Sequence, residues 1–196
     1  MQRYRGRDLQ PRKLDLARAD NSSDDVVLVD EHDVATGLAP KLAAHRRGLR
    51  HRAISVIVGD RQGRLLLQQR AAGKYHSAGL WSNTCCSHPR HAESVADAAR
   101  RRLAEEMGIV CPLTFLFTMA YRAEVPDGLI EDEIVHVFAG SFDGTPDPDP
   151  REVSDWCWRT PDEVAADIDR RPEAYTIWLR ELHRRHWGAI EQWLRA

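Results

Sequence analysis

Along the middle of the chain the residue pattern switches from strand to helix and back. Arg52–Val58 reads as a strand, Ser94–Met107 as a helix, and Leu113–Val125 and Ile130–Phe142 as two more strands. The helix carries Val95, Ala98, Ala99 and Leu103 on one face, with Ser94 as its N-cap and Gly108 where a glycine stops helices. Upstream, Val26–Val29 is a short β-branched run, and Asp60–Gly63 is a turn that returns the chain into Arg64–Gln69 as a hairpin. Downstream, Gly144–Pro150 is a rigid loop, Trp156–Trp158 a short strand, and Thr160–Glu163 a capping box that opens a helix. Glu173–Leu194 reads as a last helix, broken near Gly188. Strands and helices that mix rather than alternate favour an α/β sandwich with a mixed sheet over a doubly wound parallel one.

At 196 residues, with 42% hydrophobic and 30% charged positions, the chain suits one soluble domain with extensions. No apolar run approaches the roughly 20 residues of a bilayer span, so no membrane partner is expected. A net charge of −2 argues against a nucleic-acid partner bound through counterion release. Residues 1–25 are basic at their start and lack a hydrophobic period, which reads as a mobile tail ahead of a single domain at 26–196. Cys85, Cys86, Cys111 and Cys157 show no C-x-x-C spacing, which suits free thiols in a reducing cytoplasm.

The chemistry starts at Ile130-Glu-Asp-Glu133. In a strand, Glu131 and Glu133 point to one face, and Asp132 to the other. Two adjacent carboxylates repel unless a proton or cation lies between them, so a metal is the natural occupant, with a solvated strand face as the alternative. His45, His51 and His88 are candidates to complete it. Three nitrogens and two or more oxygens suit Zn²⁺, Mn²⁺ or Fe²⁺ better than Ca²⁺.

From Ser87 to Ile109 the chain follows G-x5-E-x7-R-E-U-x-E-E-x-G-U, where U is apolar. Glu93, Arg101, Leu103, Glu105, Glu106, Gly108 and Ile109 match it, while Ser87 replaces the first glycine and Arg102 the glutamate after the arginine. Arg101–Glu105 and Arg102–Glu106 fall one helical turn apart. This segment resembles the Nudix box. Arg102 puts a cation where the family's hydrolases hold metal, and a guanidinium grips phosphate oxygens instead. Together with Asn83-x-x-Cys86-x-His88-Pro89 and Tyr121-Arg-Ala123 ahead of Glu131-Asp-Glu133, the chain resembles the type 1 isopentenyl diphosphate isomerases from about Val26 to about Leu182.

The resemblance implies a Nudix-type α/β/α sandwich that moves the double bond of isopentenyl diphosphate to give dimethylallyl diphosphate. It implies Cys86 and Glu133 as the acid–base pair, with Tyr121 beside Glu133. It implies His45, His51, His88, Glu131 and Glu133 as ligands of a divalent metal, Mn²⁺, Mg²⁺ or Zn²⁺. A Mg²⁺ arriving with the diphosphate falls to Glu106, the diphosphate to Lys41, Arg70, Lys74 and Arg102, and a carbocation to the face of Trp178. A monomer or weak dimer is expected. The competing readings are a Nudix hydrolase of nucleoside diphosphate derivatives and a protein that keeps the fold without catalysis.

Overall fold

The computed structural model describes residues 25–196. The tail expected over residues 1–25 therefore lies, but for Asp25, outside the described residues. The elements run β1 (Asp25–Val29), β2 (Ala35–Pro40), α1 (Lys41–Arg47), β3 (His51–Gly59), β4 (Leu65–Arg70), β5 (Trp81–Asn83), β6 (Cys85–Ser87) and α2 (Val95–Met107). They continue through β7 (Thr114–Val125), β8 (Leu129–Ser141), β9 (Val153–Arg159), α3 (Pro161–Arg170), a 3₁₀ turn at Pro172–Ala174 and α4 (Ile177–Leu194).

The strands join in one mixed sheet, because β8 runs parallel to β3 while the other ladders are antiparallel. Strand β3 is buried on both sides, which is why it reads as a continuous apolar run. Its Ile54, Val56 and Val58 pack with Ala98, Ala99, Leu103 and Met107 of α2. Its Ala53 and Ile57 pack instead with Trp178, Leu182 and Ile190 of α4. The sheet thus lies between α2 and α4, as the α/β/α expectation has it. Helix α2 carries its foreseen caps: Ser94 Oγ accepts from the Asp97 amide, and Gly108 takes φ 65° at the C-terminus. A Cβ at Gly108 would lie 2.5 Å from the Asp147 carbonyl, so the stop needs glycine for space as well as for φ. The capping box at Thr160 and Glu163 is present.

Several elements depart from expectation. The 60–63 turn closes, but β3 and β4 pair only at Gly59 and Leu65 before diverging. The 81–87 segment fills the gap: β5 pairs with β4, β6 pairs with β3, and buried Thr84 sits between them. Thr84 Oγ1 accepts from the Val58 amide and donates to the Leu66 carbonyl, bridging the two diverging strands. The last helix starts at Ile177, not Glu173, because Tyr175 bridges to Trp81 and the Thr176 amide bonds the Trp81 carbonyl. It then runs unbroken through Gly188. Glycine costs a helix about 1 kcal/mol relative to alanine, and buried Ile190 anchors the following turn. Strand β2, helix α1 and strands β5 and β6 were not anticipated.

Candidate active site

Five pieces of chain converge at one end of the α4 face. Strand β8 supplies Glu131 and Glu133, both buried. The β7–β8 register sets Tyr121 opposite Glu133, and its hydroxyl donates to Glu133 Oε2 at 2.7 Å. The parallel β3–β8 register sets His51 against the same residue. Helix α1 brings His45, and the residue after β6 and Ser87 is His88. Asp132 turns to the other face and pairs with Arg50 and Arg122, as strand alternation requires.

His45 Nδ1 lies 2.7 Å from the Lys41 carbonyl and His51 Nδ1 2.8 Å from the Leu49 carbonyl. A carbonyl can only accept, so both Nδ1 atoms carry the hydrogen, and in the neutral rings both Nε2 atoms present bare lone pairs. His45 Nε2 faces Glu131 Oε2 at 3.1 Å, an oxygen that is buried without a hydrogen-bond donor. His51 Nε2 lies 3.1 Å from His88 Nε2, and His88 Nε2 lies 2.9 Å from Glu133 Oε1. At His45 and Glu131, acceptor facing acceptor in a dry site calls for a cation or proton between them. The donor set, imidazoles and carboxylates with Nδ1 held by backbone, fits a divalent metal. Burial, and then the charge of Glu133, push Glu131 up from the usual carboxylate range. Burial works the same way on Glu133, but its contacts with His51 and His88 outweigh it and hold Glu133 well below that range.

Cys86 lines the same cleft as Glu131 and Glu133. Its register partner is Ser55, and its thiol lies 3.2 Å from Asn83 Oδ1, to which it donates. Burial pushes the thiol up to about 12, only partly offset by the Ser55 and Asn83 contacts. The cleft encloses about 460 Å³, its open mouth included, and its apolar wall is Met119, Val135, Trp178 and Leu182. Trp178 is fixed by an Nε1–H bond to Ser82 Oγ at 2.7 Å. Burial drives Lys41, at the rim, below its ordinary value.

A polar cleft shares Lys41 and His88 with it and adds Lys74 and Arg102. Arg102 donates to Glu106 Oε1 at 2.6 Å, while Gln68 holds Glu106 Oε2 at 3.2 Å. Arg101 makes a bidentate pair with Glu93. Both one-turn pairs read from the sequence, Arg101–Glu105 and Arg102–Glu106, are present. Arg70 lines the first cleft with Lys41: its Nε and Nη2 bond the Ser77 and His76 carbonyls, and its guanidinium lies 5.1 Å from the centre of the Trp178 ring. The sequence reading missed three participants, namely His76 against Glu131, Ser55 beside Cys86, and Glu152 between Lys74 and Arg102. Ser55 was within reach, because it shares the inward parity of His51 on β3.

Residues 49–180 match the NUDIX domain model. The chain is 58% identical over 156 residues to the isopentenyl-diphosphate Delta-isomerase 2 of Aromatoleum aromaticum, covering 80% of this chain and 82% of the relative. The isopentenyl-diphosphate Delta-isomerase of Serratia proteamaculans is 46% identical, over 87% of this chain and 96% of its own. Among solved structures, the DR0079 protein of Deinococcus radiodurans superposes with a TM-score of 0.69 at 23% identity, over 82% of this chain and 98% of that one. That likeness speaks for the fold alone. The sequence relatives go further, and with them the chain belongs to the isopentenyl-diphosphate Delta-isomerases of the NUDIX domain family.

Proposed function

We propose that the chain interconverts isopentenyl diphosphate and dimethylallyl diphosphate, with Cys86 and Glu133 as the acid–base pair. One observation carries the reading: the Cys86 thiol and the Glu133 carboxylate line one cleft that also presents an apolar wall of Met119, Val135, Trp178 and Leu182. The substrate has no carbonyl to delocalise charge. The reaction therefore adds a proton to the terminal alkene carbon, passes through a tertiary carbocation, and removes a different proton from the carbon nearer the diphosphate. That sequence needs one group that gives a proton and one that takes it, with water kept out so that no alcohol forms.

Tyr121 holds Glu133 Oε2 in place. Met119, Val135 and Leu182 exclude water around the hydrocarbon, and the indole of Trp178 offers the cation about 2 kcal/mol of attraction when desolvated. Lys41, Arg70, Lys74 and Arg102 would bind the diphosphate, with Arg70 also bracing the loop and the ring of Trp178. Glu106 would take the Mg²⁺ that accompanies it. A divalent cation, Mn²⁺, Mg²⁺ or Zn²⁺, held by His45, His51, His88, Glu131 and Glu133 would supply positive charge that orients Glu133 and tunes its affinity for a proton. A monomer or weak dimer in the cytoplasm suffices for this chemistry.

The hydrolase alternative is disfavoured by Arg102, a cation that stands where that reading needs a further carboxylate and that engages Glu105. The test is incubation of metal-loaded protein with isopentenyl diphosphate in deuterated water, followed by NMR. The expected product is deuterium-bearing dimethylallyl diphosphate, slowed at least about 100-fold in Cys86→Ser. Unchanged isopentenyl diphosphate, with phosphate released from nucleoside diphosphate derivatives, would overturn the proposal.

A further inference from the structure

His76 belongs to none of the motifs above, yet its Nε2 lies 3.2 Å from Glu131 Oε1. Glu131 thereby has histidines at both oxygens: His76 at Oε1 and His45 at Oε2. The two rings are not equivalent. His45 has its Nδ1 committed to a backbone carbonyl, which leaves Nε2 bare. His76 Nδ1 instead lies 3.2 Å from Ser77 Oγ, a hydroxyl that can donate. Ser77 can thus give its hydrogen to Nδ1, and the ring keeps its own hydrogen on Nε2, the atom that lies against Glu131.

The loop that carries this ring is held from several sides. Arg70 bonds the His76 and Ser77 carbonyls, Ser77 sits at φ 52° in the left-handed region, and the Gly79 amide returns to the Arg70 carbonyl. The His76 ring stands perpendicular to Tyr75 at 4.3 Å and to Trp178 at 6.0 Å between centroids. A side chain that is packed this way on a braced, left-handed backbone is held to one orientation.

We propose that His76 is a positioning residue of the metal site: its Nε2–H donates to Glu131 Oε1 and leaves Oε2 turned toward His45 for the cation. The inference rests on the metal reading above and adds a fourth histidine that acts through Glu131 rather than by ligation. It also accounts for a loop built with strain beside the cleft. Without the donor, the carboxylate can rotate and present either oxygen.

Two measurements test this. The first establishes the metal site without His76: Co²⁺ titration of the full chain should develop visible absorption bands that His51→Ala abolishes. His76→Ala should then weaken Co²⁺ binding about 10- to 100-fold with the band positions kept, and His76→Gln, whose amide can donate to Glu131, should recover most of the loss. Unchanged affinity in His76→Ala, or bands shifted as by loss of a nitrogen ligand, would overturn the proposal. Absence of Co²⁺ binding in the wild type would remove the metal reading and this inference with it. The second measurement needs no variant. Nitrogen-15 NMR of the Zn²⁺-loaded wild type should show His76 Nε2 protonated while the Nε2 atoms of His45 and His51 carry metal. An unprotonated or metal-shifted His76 Nε2 refutes the assignment.

Discussion

Lys74 and Arg102 meet on a single carboxylate. Glu152 Oε2 pairs with Lys74 Nζ, and its Oε1 lies 3.3 Å from Arg102 Nη2. An incoming diphosphate must take both cations from Glu152. Two partly exposed ion pairs are worth on the order of 1 kcal/mol together after solvent screening. Glu152→Gln should therefore tighten binding of inorganic pyrophosphate roughly fivefold, read by isothermal titration, and weaken its dependence on competition from within the chain. Looser binding would mean that Glu152 prearranges the cations instead of competing for them. At this scale, the residues legible in the sequence were those on regular elements. Glu131 and Glu133 follow strand parity, and Arg102 and Glu106 follow the helical turn. His76 lies in a loop with no period to betray it. Glu152 is delivered by backbone bonds, from the Asp147 and Asp149 amides to the Met107 and Glu106 carbonyls at the end of α2, which leave no trace in side-chain pattern.

Between elements, Asp167 is the clasp that joins α3 to the 3₁₀ turn leading into α4. Its buried carboxylate accepts from Tyr175 Oη at 2.7 Å and from Arg170 and Arg171. Arg171 first, then Tyr175, hold it below the usual carboxylate range. A carboxylate depressed in the folded state contributes stability that is fully present above its unfolded pKa of about 3.9 and is lost as pH falls through the folded value. Asp167→Asn should lower stability at pH 7 by about 1–3 kcal/mol. The gap from the wild type should narrow as pH drops below about 3.9. Thermal melts followed by circular dichroism across that range check both; a gap independent of pH would refute the assignment. Element recognition itself divided along physical lines. Capped helices and long strands carry local signals. The 81–87 segment does not, because β5 and β6 are three residues each and owe their conformation to β4 and β3 and to the Thr84 bridge between them. Only tertiary contact decides that β3 and β4 must part, and that parting is what places Cys86 and His88 beside β3.

Across the whole molecule, the candidate metal site ties together residues from 45 to 133 in the chain: one helix, two long strands and the end of the β6 insert. Without a cation, this junction holds bare nitrogens and two carboxylates in a dry environment, an arrangement that opposes folding. A metal that binds only when the four pieces are assembled should therefore act as a cross-link on the native state. At free metal about 100 times its dissociation constant, the gain is about 2.7 kcal/mol. In a domain of this size each kcal/mol moves the melting temperature by about 2–4 °C, so saturation should raise it by about 5–10 °C. Calorimetry with added Mn²⁺ or Zn²⁺, against the same protein in chelator, measures the shift. His51→Ala should melt at nearly the same temperature with or without metal, since its loss removes the ligand that the β3–β8 register holds against Glu133. A wild-type protein indifferent to both metals would mean that a proton, not a cation, lies between Glu131 and His45.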